Sequence, residues 1–216
     1  MMETYIIGSG GMAQEVAQLI DDINDYSDIN IYKLVGFIDK GILGTKIYNN
    51  YSIVGDDEFI MDIDYNINII IAIGNPLIRR KVYEKFKLNE HIYFPIIIHP
   101  SVNIKGIKSI GEGSIIQRNT TLTTNITIGK CVFINIGCVV GHNDIIDDFC
   151  SIMPNVAIAG NVHIKQSTLI GIGSSIIEHT TIEANNIIGA GSVIIKDTIP
   201  NCTIVGVPGK IIKRNY

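Results

Sequence analysis

The sequence predicts two folds in tandem, a small α/β unit of Rossmann-like βαβ design followed by an all-β parallel solenoid. Three observations carry this. From Ile104 to Ile194 every sixth residue is Ile, Leu or Val, sixteen positions in one phase without a miss. Upstream, a strand-like run at Thr4 to Ile7 enters Gly8-Ser9-Gly10-Gly11-Met12-Ala13 and then an amphipathic stretch, the order strand, glycine loop, helix. Between the two patterns the composition breaks at Pro95 to Pro100, which divides the chain into residues 1–98 and 99–216.

The N-terminal elements follow from local pattern. The first strand feeds a helix over Gln14 to Ile23. A second strand spans Lys33 to Ile38 and stops at Asp39. A third, Ile67 to Ile73, stops at Gly74-Asn75 before a helix from Pro76 to Lys87. In a parallel sheet these three loops share the carboxyl edge, where α/β folds bind ligands. The loop fits G-x-G-x-x-A, whose glycines let backbone amides approach a phosphate at a helix N-terminus. Fewer than 100 residues with about three or four strands make half of a doubly wound dinucleotide fold, so a nucleotide-sized ligand fits better than NAD. Asp39 lies 26 residues past Ala13, farther than the ribose-reading acid of an NAD site. The competing reading of Gly10 and Gly11 is tight packing of strand against helix. Arg79, Arg80 and Lys81 form a charge run that reads as a solvated helix face.

A period of six matches neither the helix repeat nor plain strand alternation, so the C-terminal unit is built of short strands joined by regular corners. Four residues after each bulky apolar position stands a mostly small or β-branched one, among them Ser114, Thr120, Val132, Cys138, Cys150, Val156, Thr168 and Ser192. One large and one smaller inward side chain per hexad fills a narrow prism at crystal-like density. Asp144 and Asn186 depart from that chemistry. Of the four cysteines, Cys131, Cys138, Cys150 and Cys202, none has metal-ligand spacing, and buried thiols are expected.

Composition excludes other classes. A net charge of −4 without a Lys/Arg cluster argues against nucleic acid, and no apolar run reaches a membrane span. Met1 to Ile7 lacks the basic start of a signal peptide, so the expected compartment is the cytoplasm. No metal is expected. In the solenoid, Gly141-His142-Asn143-Asp144 carries the clearest chemistry. A histidine near neutral pH is a natural general base, and His142, two residues past the inward Val140, falls on the outer surface.

A family resemblance spans nearly the whole chain. It rests on the glycine loop, Gly36-Phe37-Ile38-Asp39, Ala72-Ile73-Gly74-Asn75, His99-Pro100-Ser101, Gly141-His142, Ala159-Gly160-Asn161-Val162, Gly189-Ala190-Gly191-Ser192-Val193 and Val205-Gly206-Val207-Pro208-Gly209-Lys210, in that order. The chain resembles the two-domain bacterial sugar acyltransferases with hexapeptide repeats, which include nucleotide-linked 4-amino-sugar N-acetyltransferases and sialic acid O-acetyltransferases. The resemblance implies a left-handed parallel β-helix of about five coils and a homotrimer with acetyl-CoA in a groove between subunits. It implies His142 as general base and the Gly160 amide as oxyanion donor, with Ile172, Ala190 and Ser151 along the coenzyme. Gly10, Gly11, Met12, Asp39, Lys40, Gly74 and Asn75 would face the nucleotide-sugar. The chain departs from the pattern at Asn143, where many relatives have Asp or Glu, with Asp144 next to it. Met12 and Ser151 each replace a histidine of some members. The implied reaction is acetyl transfer to the 4-amino group of a nucleotide-linked 4-amino-4,6-dideoxy sugar, for surface glycan or O-antigen synthesis. A neutral amine needs less basic help than a hydroxyl, which favours N- over O-acetylation. The alternatives are sugar or sialic acid O-acetylation and a non-catalytic, nucleotide-binding trimeric β-helix.

Overall fold

The computed structural model describes residues 1–27 and 29–214. Its first unit is β1 (Glu3–Ile7), α1 (Gly11–Tyr26), β2 (Lys33–Ile38), β3 (Lys46–Tyr48), β4 (Tyr51–Gly55), α2 (Asp57–Met61), β5 (Ile67–Ile71), α3 (Pro76–Phe86) and β6 (Ile92–Tyr93). They form a six-stranded sheet in the order β3-β4-β2-β1-β5-β6. This exceeds the three or four strands expected from pattern. The additions are β6 at one edge, parallel to β5, and at the other edge a hairpin: β3 pairs antiparallel with β4, Tyr48 opposite Tyr51, across an Asn49-Asn50 turn in which Asn49 has φ 48°.

Every other pairing in this sheet is parallel, and both faces are covered. Alternation along β1 sends Ile6 towards Val16, Leu19 and Ile20 of α1, and Tyr5 and Ile7 towards Tyr83 and Phe86 of α3. Each of these cores also takes in solenoid side chains. Ile115 and Phe133 join the α1 core, and Cys131 and Phe149 join the α3 core.

The second unit is a three-sided parallel solenoid of two-residue strands. Two faces carry five strands each; the third begins at Ile97–Ile98 and ends in the hairpin of Cys202–Val205 with Lys210–Arg214. Residues 18 apart stack, as Val139 on Ala157 and Ala157 on Ser175, so three hexads close one coil. From Ile116 to Ile194 every bulky position of the hexad is buried in one continuous core. The first two positions differ from expectation. Ile104 is 47% exposed and Ile110 only partly buried, because the face to which Ile104 would belong starts at Thr121–Leu122 and nothing stacks beneath it. The four cysteines are free and buried.

The corners have a backbone rule. From Gly113 to Gly191 the residue three after each bulky position adopts positive φ, and it is usually Asn or Gly. Inward polar residues stitch neighbouring coils. The Ser114 hydroxyl takes the Val132 amide at 3.0 Å, Asp144 takes the Val162 amide at 2.8 Å and Asn186 takes the Cys202 amide at 2.7 Å.

Candidate active site

β1 lies between β2 and β5, so the loops leaving these strands converge at one edge of the sheet. Gly8, with φ 105°, makes the turn out of β1 and donates its amide to the Ile38 carbonyl at 2.9 Å. A Cβ there would lie 3.1 Å from the Ala72 oxygen. The Ser9 hydroxyl donates to the Asp39 carboxylate at 2.7 Å, joining the first loop to the second. A Cβ on Gly74 would come within 3.8 Å of the Met12 sulfur, which brings the third loop to the first.

Gly10 is the N-cap of α1, which has no side-chain cap, and a Cβ on Gly10 or Gly11 would meet nothing within 4 Å. Tight packing therefore does not account for these two glycines. Their bareness leaves the first-turn amides and the positive end of the helix dipole open to an anion. Lys40 is exposed beside Asp39. Asn75 is committed elsewhere: its side-chain oxygen accepts the amides of Leu77 and Ile78 and caps α3.

The second group is a solenoid corner. His142 is exposed, and its ring lies over Gly160, where a Cβ would be 2.5 Å from Nε2 and Cε1. His142 Nδ1 is 3.0 Å from the Asn143 amide nitrogen. Asn143 also donates to Asn161 Oδ1 at 3.1 Å and accepts from Asn125 at 2.7 Å. Asp144 points into the prism, its Oδ1 on the Val162 amide and its Oδ2 buried without a partner. Burial pushes its carboxyl up to about 7, against smaller opposing pulls from the Val162 and Gly141 amides. The side-chain hydrogen bond to the imidazole among the described residues comes from Asn143 and not from Asp144.

Ser151, expected along the coenzyme, has no exposed surface in the chain. It is fully buried, donating to the Gly74 carbonyl at 2.7 Å and accepting from Arg79 at 2.9 Å. Arg79 corrects the solvated-face reading, for it is 1% exposed while Arg80 and Lys81 face solvent. Its guanidinium meets the carbonyls of Cys131, Phe149 and Cys150 from the solenoid and of Ile73 and Gly74 from the loop after β5. Burial lowers its pKa to about 10, and it stays charged at neutral pH. This cation ties the Gly74 loop to the solenoid.

Ile172 and Ala190 are exposed on a different corner from His142, stacked in adjacent coils through the Gly191 amide on the Ile172 carbonyl at 2.8 Å. The Gly74 loop sits against the face that carries Ser151. The candidate residues thus fall into separate groups on one prism: His142, Asn143 and Gly160 at one corner, Ile172 and Ala190 at another, and the Gly74 loop with Met12 and Ser151 against one face. Among the described residues no cluster of His, Cys, Asp and Glu is placed to hold a metal, and no helix is long and apolar enough to cross a membrane.

The PglD N-terminal domain family matches residues 3–86. A GDP-perosamine N-acetyltransferase of Escherichia coli O157:H7 is 30% identical over 172 residues, 79% of this chain and 76% of that protein. A perosamine N-acetyltransferase variant from Caulobacter crescentus, solved with CoA and GDP-perosamine, superposes with a TM-score of 0.86 at 26% identity, over 98% of this chain and 97% of that one. The acetyltransferase domain of PglB from Neisseria gonorrhoeae, solved with acetyl coenzyme A, gives 0.86 at 28% identity, over 97% and 98%. With its Rossmann-like sheet and left-handed β-helix, the chain belongs to the two-domain sugar acyltransferases built on hexapeptide repeats.

Proposed function

We propose that the protein transfers the acetyl group of acetyl-CoA to the 4-amino group of a nucleotide-linked 4-amino-4,6-dideoxy sugar, a step in making a surface glycan. The observation that carries this is the His142 ring over Gly160 at an exposed corner, in a chain that also presents an open, uncapped glycine loop. The glycine loop takes the nucleotide phosphates on the α1 amides. At the corner, the sugar nitrogen attacks the thioester carbon and a C–N bond forms. The Gly160 amide stabilises the oxyanion. His142 takes a proton from the new ammonium centre. Collapse breaks the C–S bond, and the proton passes to the departing thiolate.

We place these parts in a homotrimer. His142 and Gly160, Ile172 and Ala190, and the Gly74 loop stand on different sectors of one prism, so adjacent copies complete a site that one chain leaves dispersed. A soluble enzyme of the cytoplasm, where acetyl-CoA and nucleotide-sugars are made, fits this reading.

The test is coenzyme A release from acetyl-CoA with GDP-, UDP- and dTDP-linked 4-amino-4,6-dideoxy sugars. Sialic acid and its CMP form serve as hydroxyl acceptors. Turnover with an amino sugar supports the proposal and identifies the nucleotide, whereas turnover with sialic acid alone overturns it in favour of O-acetylation. The His142→Ala variant is expected to lose about 100-fold in kcat while binding acetyl-CoA normally. Near-normal turnover removes His142 from the mechanism.

A further inference from the structure

Asn125, Asn143 and Asn161 occupy one corner in three successive coils, each in left-handed backbone with φ 57°, 62° and 60°. Their side chains form a directed chain. Asn125 donates to Asn143 Oδ1 at 2.7 Å, and Asn143 donates through Nδ2 both to Asn161 Oδ1 at 3.1 Å and to His142 Nδ1 at 3.0 Å. An amide offers hydrogens on one side and an oxygen on the other, so the sense of this chain decides what His142 receives. In the sense observed, Nδ1 accepts, and the neutral imidazole carries its proton on Nε2. Nε2 is also the nitrogen that lies over Gly160. A general base needs a lone pair there.

We propose that the Asn125–Asn143–Asn161 ladder sets the tautomer of His142. With the three amides oriented as they stand, it favours the Nε2–H form. Concerted reversal of the three amides turns Asn143 Oδ1 towards Nδ1, moves the proton to Nδ1 and frees the Nε2 lone pair for catalysis. Asn125 and Asn161 are then positioning residues that act on the imidazole only through Asn143. The catalytic half of this inference rests on the acetyl-transfer reading above; the tautomer half does not.

The two ends of the ladder give a test that charge alone cannot mimic. In Asn161→Asp the carboxylate can only accept from Asn143 Nδ2, which locks the observed sense. In Asn125→Asp it can likewise only accept from Asn143, which forces the reversed sense. The substitutions add the same charge 18 residues to either side of Asn143; charge alone favours the imidazolium in both, whereas the ladder sends the neutral tautomers of the two variants in opposite directions.

The readout is the pair of imidazole nitrogen chemical shifts of His142 by NMR, in the free protein above the pH at which the ring titrates. The expected result is Nε2–H in the wild type and Asn161→Asp, and Nδ1–H in Asn125→Asp. The kcat is expected to fall at least tenfold in Asn161→Asp and to match or exceed wild type in Asn125→Asp. The same tautomer in both variants, or Nδ1–H in the wild type, overturns the proposal. Should Asn125→Asp fail to fold, the wild-type shifts and the Asn161→Asp rate still decide it. Expected tautomers without turnover on any amino sugar would reject the assigned reaction and leave the ladder standing.

Discussion

Replacing Arg79 with Met tests the coupling of the two units most directly, since a chain of similar volume removes the guanidinium without opening a large cavity. The Cys150 carbonyl also takes the Phe133 amide at 2.9 Å, and the Gly74 carbonyl takes the Ser151 hydroxyl at 2.7 Å. That leaves Arg79 as the partner among the described bonds for the carbonyls of Ile73, Cys131 and Phe149. Each buried acceptor left unpaired costs about 1–3 kcal/mol. Removing a buried cation returns part of this, because its desolvation cost is no longer incurred. The expected net loss is about 3 kcal/mol. Arg79→Lys keeps the charge but offers three donors on a flexible stem and is expected to fall midway. Urea unfolding followed by far-ultraviolet circular dichroism reads the loss as a lower midpoint at unchanged slope. A loss below about 1 kcal/mol, or Met performing as well as Lys, would refute the claim that the cation joins the Gly74 loop to the solenoid.

Two further perturbations address the corner and the core. Gly160→Ala places a methyl group 2.5 Å from His142 Nε2, so the imidazole must swing away. The expected outcome is a kcat at least tenfold lower, with the unfolding midpoint close to wild type. A wild-type rate would show that the ring position over Gly160 is irrelevant to turnover. Asp144 has its folded pKa raised by burial to about 7, well above its unfolded value near 4. Between those two values the folded state binds the extra proton, so this group destabilises the fold as pH rises through 7 and is relieved as pH falls. Asp144→Asn removes that dependence, and Asn186 shows that an amide is accommodated at this hexad position. Its stability relative to wild type is expected to improve by about 2–3 kcal/mol between pH 5 and pH 8. Parallel stability profiles for the two proteins would mean that Asp144 is not strained by its burial.

The solenoid was legible because every coil repeats the same environment. A phase held by Ile116, Leu122, Ile128 and their successors has one structural solution, and the structure buries each of them. Ile104 is in phase yet exposed, since periodicity reports a position and not whether a neighbouring coil exists to cover it. A second period was present and unread. On the outer side of one face, Ile97, Ile115, Phe133, Leu169 and Ile187 recur at multiples of 18, an apolar stripe that needs a covering partner. Ser151 interrupts that stripe, and the small hydroxyl there is what admits the Gly74 carbonyl and the Arg79 guanidinium.

The Arg79-Arg80-Lys81 run is not a solvated face, for a geometric reason. Three consecutive helical residues sweep through some 200° and cannot all face water. Pro76, Arg79, Tyr83 and Phe86 are the buried residues of α3 and share one face at helical spacing, so the inward charge was there to be found in the periodicity. The N-terminal loops were legible because the glycine and strand-end positions are local. The destination of the Asn75 side chain was not, since a ligand contact and a helix cap call for the same residue before the same Pro76. The His142 corner poses the same ambiguity more sharply. Asn125, Asn143 and Asn161 are what a left-handed corner prefers for backbone reasons alone, and nothing in their spacing distinguishes turn formers from a proton-directing chain. What separates the two is that one member of the stack follows a histidine and hydrogen-bonds it, which makes the sense of three amides a property of the imidazole.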